Sequence, residues 1–191
     1  DQVSIVRGPN IGNPPRMSAL KNTVGGTILI KVKDKITTDH IMPAGKRLKY
    51  RSNIAKYAEF VFEPLDPHFH ERARKEKGGI IVAGLSYGQG SSREHAALCP
   101  RYLGVSMVVA KSFERIHRAN LINFGIIPIV FKSARDYTAL AQGDEVRISG
   151  IKSALRDGGA EMVWKRKGKE QGVIPVRFDF SEREIALLRE G

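Results

Sequence analysis

The run Gly79-Ile80-Ile81-Val82-Ala83-Gly84 constrains this chain more than any other stretch. An apolar segment this short, closed by glycines, describes a strand buried on both faces. A glycine-rich turn (LSYGQGSSREH) and a helical stretch follow it. Then come residues 106–110 (SMVVA), a helical stretch over 113–124, and residues 126–131 (IIPIVF). Strand, helix, strand, helix, strand at these lengths predicts parallel βαβ crossovers, and hence an α/β fold.

The flanking segments are read around that core. Residues 1–24, which include GPNIGNPPR, have the Pro/Gly/Asn content of a linker or N-terminal arm, so the domain is placed over 25–191. Residues 27–32 (TILIKV) read as a strand, 36–45 (ITTDHIMPAG) as a polar loop, and 53–62 and 68–77 as helical. After residue 131 the pattern becomes a β meander: strands over 145–148, 162–165 and 173–178 with glycine-rich turns. A short helix over 181–189 closes the chain, with Ser181 and Glu184 in capping-box spacing.

Composition narrows the function classes. The single cysteine, Cys99, excludes a disulfide framework and a self-contained zinc or iron–sulfur site. It also leads us to expect a reducing compartment, the cytoplasm. The longest apolar stretch, 121–131, contains Asn123, Gly125 and Pro128 and is too short to cross a bilayer, so no membrane is expected. The start DQVSIVRGPN has no secretory pattern, and a chain beginning at Asp1 reads as a piece of a larger product. A net charge of +12 admits an RNA partner. Against that, the basic residues are spread out and broken by acids, as in HERARKEKGG, and aromatics are only 7%.

The turn between the buried strand and its helix carries the chemistry. Gly88 and Gly90 allow a sharp turn and close approach to a ligand. Ser91 and Glu94 have S-x-x-E spacing, which predicts Ser91 as the N-cap of the next helix. Free N–H groups at such a start, with Arg93 beside them, make an anion site. A phosphate loop would place Lys before the serine, and a dinucleotide fingerprint would place Gly at Arg93, so a small carboxylate fits better. An ordinary capped helix with a surface arginine is the competing reading. No general base accompanies Ser91, which disfavours a Ser–His–acid hydrolase. His95 reads as a packed or capping residue.

Three separated motifs then carry a resemblance. YGQGSSREHAALCPRYLG and KSFERIHRANLINFGIIPIVF resemble the C-terminal swivelling domain of the aconitase superfamily, and TTDHIMPAGKRLKYRSNIAKY resembles that domain's upstream signature in aconitases proper. The resemblance implies a swivelling β/β/α fold, with a parallel βαβ core, a β meander and short helices. It implies an aconitate hydratase, a hydro-lyase of the tricarboxylic acid cycle that interconverts citrate and isocitrate through cis-aconitate.

Carried over by position, Ser91 falls on the catalytic base, and Ser92 and Arg93 fall on substrate-carboxylate binders. Arg51 matches a second carboxylate arginine; Asp39, His40 and Gly90 are supporting residues. The [4Fe–4S] cluster of the complete enzyme would be ligated outside this chain. Cys99 stands where better-known aconitases have glutamate and is not expected to ligate; Gln89 likewise replaces a common glutamate. The resemblance therefore implies half an active site: inactive alone, and completed by cluster-bearing domains in the same polypeptide or in a separate large subunit. The alternatives are a small subunit of isopropylmalate dehydratase or homoaconitase, or an RNA-binding aconitase relative. Those small subunits lack the DHIMPAG-plus-arginine signature in this form.

Overall fold

The computed structural model describes residue 11 and residues 18–190. Most of the arm proposed over 1–24 lies outside the described residues. Among the described residues the first regular element begins at Thr23, where the start of that strand pairs with a distant one.

That strand, β1 (Thr23–Lys31), is followed by α1 (Thr38–Ile41), a 3-10 turn (Gly45–Tyr50), α2 (Ile54–Tyr57), a second 3-10 turn (Ala58–Phe60) and α3 (Phe69–Lys75). The alternating core comes next: β2 (Gly79–Ala83), α4 (His95–Tyr102), β3 (Val105–Ala110), α5 (Arg115–Asn123) and β4 (Ile127–Phe131). Then follow α6 (Asp136–Ala139), β5 (Glu145–Ser149), α7 (Ile151–Asp157), β6 (Gly159–Arg166), β7 (Lys169–Arg177) and α8 (Glu182–Glu190).

β1, β2, β3 and β4 pair in parallel, as the βαβ reading predicts. The meander does more than follow them. β7 adds antiparallel to β4, β6 to β7 and β5 to β6, and β5 returns to β1, closing a seven-strand barrel in the order β1-β2-β3-β4-β7-β6-β5. Closure gives each of these seven strands a neighbour on both sides.

Burial explains why β2 has no polar side chain. Ile80 and Val82 join one apolar cluster with Met107, Val109, Ile127 and Ile129, while Ile81 and Ala83 join another with Phe62, Phe69 and Leu121. Successive side chains leave a strand on opposite faces, so apolar neighbours on both sides require an unbroken apolar run. The meander strands alternate instead: in β5, Val146 and Ile148 are buried while Glu145, Arg147 and Ser149 are exposed.

At the C-terminal end, Ser181 and Glu184 form the expected capping box, with the Ser181 N–H donating to Glu184 Oε2 at 2.8 Å and the Glu184 N–H donating to Ser181 Oγ at 3.3 Å. The Leu20 N–H donates to the Arg189 carbonyl at 3.1 Å, so both ends of the domain meet. They do so on the side where the parallel strands begin.

Candidate active site

Ligands in open α/β sheets gather beyond the carboxyl ends of parallel strands, and here three connections meet in that position. The segment after β1 and the turn after β2 run side by side. Thr37 bridges Gln89 in parallel, the Gly88 and Gln89 N–H groups donate to the Ile36 carbonyl, and the Thr38 N–H donates to the Gln89 carbonyl at 2.8 Å. The buried Thr38 also donates through Oγ1 to the Ser91 carbonyl at 3.0 Å. From below, Asn120 of α5 donates through Nδ2 to Ser92 Oγ at 3.3 Å.

This corrects the N-cap reading of Ser91. α4 begins only at His95, its N-cap is Glu94 with no side-chain cap, and Ser91 is an exposed residue in the approach to it. The spacing suited a capping box, but the bonds from Thr38 and Asn120 draw the chain along a different path. Among the described residues, the backbone N–H groups of residues 90–95 have no hydrogen-bond partner. The unpartnered donors therefore form a longer strip than a helix start would offer.

Arg93 reaches across to Asp39. Its Nη1 donates to Asp39 Oδ1 at 2.5 Å and its Nη2 to Oδ2 at 3.2 Å, a two-pronged pair, with a further bond from Nη1 to the Met42 carbonyl at 3.3 Å. Those bonds use three of the five guanidinium N–H donors and leave two for a ligand. A chain separation of 54 residues hides this pair from local sequence reasoning.

His40 caps its own helix: Thr37 Oγ1 accepts from the His40 N–H, and His40 Nδ1 accepts from the Thr37 N–H, each at 3.1 Å. Its ring is thereby a structural clasp on the segment that carries Asp39. Arg51 ends the first 3-10 turn with an exposed side chain. Its carbonyl accepts a bond from His95 Nε2 at 2.9 Å, which fixes that nitrogen as a donor and ties the basic segment to α4. Gly90 has φ +97°, and a Cβ there would meet only Thr38 Oγ1 at 3.5 Å, so it serves backbone conformation more than close packing.

The structure thus brings Asp39, His40, Arg51, Gly90, Ser91, Ser92 and Arg93 to one end of the barrel. His40 and His95 bond elsewhere than to Ser91, His40 Nδ1 to the Thr37 N–H and His95 Nε2 to the Arg51 carbonyl.

Two supporting residues escaped the sequence reading, Asn120 and His117. They lie three apart on α5 and both face inward, though polar residues at that spacing also fit a solvated helix face. His117 is buried against Tyr87, with ring centroids 5.2 Å apart, and neither ring nitrogen nor the Tyr87 hydroxyl has a partner. Burial lowers the His117 pKa from 6.5 to about 4. Between those values the unfolded chain takes up a proton that the folded chain refuses, so stability is full above pH 6.5 and falls as pH drops towards 4. The loss over that window is about 3 kcal/mol. His117→Phe, with no ring nitrogen to protonate, is expected to flatten this slope in urea denaturation at pH 7 and pH 4.5. An unchanged slope would assign the acid loss to other groups.

Cys99 is fully buried in α4, and burial pushes its thiol up to about 12, the opposite of a thiolate ligand. Among the described residues, no group of three or more His, Cys, Asp or Glu could hold a metal ion. An iron–sulfur cluster does not fit the side chains present. No helix among them is long and apolar enough to cross a membrane.

Residues 44–134 match the family model of the aconitase C-terminal domain. The chain is also 40% identical over 162 residues to 3-isopropylmalate dehydratase small subunit 2 of Archaeoglobus fulgidus, across 84% of this chain and 87% of that protein. This chain belongs to the aconitase C-terminal domain family. It is 32% identical over 187 residues to the mitochondrial aconitate hydratase of Gracilaria gracilis, covering 86% of this chain but only 24% of that protein. The fold agrees with a crystal structure of 3-isopropylmalate dehydratase from Methanocaldococcus jannaschii, with a TM-score of 0.70, 31% identity and 87% of each chain covered. The family's aconitase C-terminal domain thus occurs both as about a quarter of a long chain and as nearly the whole of a short one.

Proposed function

We propose that this chain is the serine-bearing domain of an aconitate hydratase, acting with a cluster-bearing portion to interconvert citrate and isocitrate through cis-aconitate. The observation that carries the reading is the strip of unpartnered N–H groups over residues 90–95, with Ser91 exposed within it and Arg93 beside it. Such donors lower the cost of an alkoxide at Ser91, letting it take and return a carbon-bound proton without a histidine. Arg93 and Arg51 would each meet a substrate carboxylate, and Ser92 would supply a hydroxyl donor. The [4Fe–4S] cluster, held by cysteines outside this chain, would polarise the leaving hydroxyl when bound. We place the enzyme in the cytoplasm, which localisation of the tagged full-length protein tests.

Turnover of citrate, cis-aconitate, isocitrate and 3-isopropylmalate by the complete enzyme tests the substrate. Isomerisation of the citrate set, with slow or no reaction of isopropylmalate, is expected. The reverse preference would make the chain an isopropylmalate dehydratase small subunit, a reading favoured by its 40% identity across 87% of such a protein.

Arg93→Lys keeps the charge but loses the fork that meets both a carboxylate and Asp39. A lost charge-assisted bond is worth ~1.5–3 kcal/mol, so KM for isocitrate should rise about 10–100-fold in steady-state assays.

A further inference from the structure

Ser92 has its hydroxyl oxygen tied down from inside the protein. Asn120, only 8% exposed, reaches up from α5 and donates its amide N–H to Ser92 Oγ at 3.3 Å. A serine hydroxyl has one hydrogen to give and two lone pairs to receive. With the oxygen occupied by an inward donor, the hydrogen is left to point away from Asn120, and Ser92 is itself exposed. An acceptor at position 120 would do the reverse and draw the hydrogen inward.

One turn earlier on α5, the His117 ring lies against Gly88, and a Cβ there would sit 2.2–2.4 Å from three of its atoms. The helix is therefore fixed against the turn at Gly88 and bonded to it at Ser92. We infer that Asn120 is a positioning residue that sets the donor direction of Ser92, and thereby its grip on a substrate carboxylate. This rests on the carboxylate-binding function proposed above.

The test is steady-state kinetics of the complete enzyme with isocitrate, comparing Asn120→Asp, Asn120→Ala, Ser92→Ala and the double variants. Asp occupies nearly the same space as Asn but only accepts when ionised, whereas Ala leaves a gap and no acceptor. If Asn120 orients the hydroxyl, Asn120→Asp raises KM about tenfold or more with kcat within about threefold, and harms KM more than Asn120→Ala does. That excess disappears when Ser92 is already Ala, because there is no hydroxyl left to turn.

A packing role predicts the opposite order, with Ala worse than Asp and the loss appearing in thermal stability. A KM rise that persists in the Ser92→Ala background would mean that the introduced carboxylate itself repels the substrate, and either result overturns the inference. Should Asn120→Asp not fold, the cycle of Asn120→Ala with Ser92→Ala decides: less-than-additive effects on KM support the inference and additive ones refute it. Failure of the wider reading would look different, since Ser91→Ala would then keep its turnover whatever Asn120 does.

Discussion

Ser91→Ala lowers kcat for isocitrate dehydration by about 10²–10⁴-fold in the complete enzyme, with KM changed little. In the function proposed above the hydroxyl would act only when a proton moves, while Arg51, Arg93 and Ser92 would hold the substrate in the ground state. Removing a group that acts in the transition state lowers kcat and kcat/KM together, by ~2.7–5.5 kcal/mol of barrier for that range. Cysteine is the sharper companion variant, since it keeps an ionisable group in place while altering its basicity. A loss of binding with turnover preserved would remove Ser91 from the role of base and leave it as one more carboxylate contact.

Gly88→Ala is expected to be the most damaging single change to stability near the site. Gly88 has φ +93°, a region side chains rarely enter, and its missing Cβ would sit 2.2 Å from His117 Cδ2 and 2.3 Å from Cγ. Backbone strain of ~1–3 kcal/mol and a similar overpacking term together reach about 2–6 kcal/mol, a large share of an ordinary domain's stability. Urea denaturation should show a lower midpoint with an unchanged slope. Gly88→Ala paired with His117→Ala separates the two terms. Recovery in the pair measures the steric part, and what remains is the backbone cost. If Gly88→Ala alone is neutral, the turn rearranges freely and His117 does not brace it.

The parallel half of the fold was legible because burial on both faces imposes a local signature. β2, β3 and β4 are short apolar runs, and little else produces them at that spacing. Barrel closure was not, although β5, β6 and β7 were each visible as meander strands between glycine-rich turns. Alternation reports which side chains face inward, but it is silent on which strand lies beside which. The pairing of Thr23 with Ser149 joins residues far apart in the chain.

The site divides the same way. Glycines, serines and an arginine packed into residues 88–93 are what the local sequence offers for the proposed anion site. The Asp39–Arg93 pair and the Asn120 support depend on loops meeting in space, and only the family resemblance pointed to Asp39. Ser91 does not cap because spacing describes an isolated helix, whereas Thr38 holds the Ser91 carbonyl and Asn120 holds the Ser92 hydroxyl.

The meeting of Leu20 and Arg189 gives the barrel two poles. Entry and exit lie together at one, and Ser91 lies at the other, beyond the carboxyl ends of the parallel strands. A body leashed at a single pole can be attached through either end, or detached altogether, without disturbing what the opposite pole presents. Gene fusion and gene fission are then nearly neutral events for the fold. A surface displayed opposite its tether can be carried as a quarter of a long chain or as nearly the whole of a short one, with the same side chains presented.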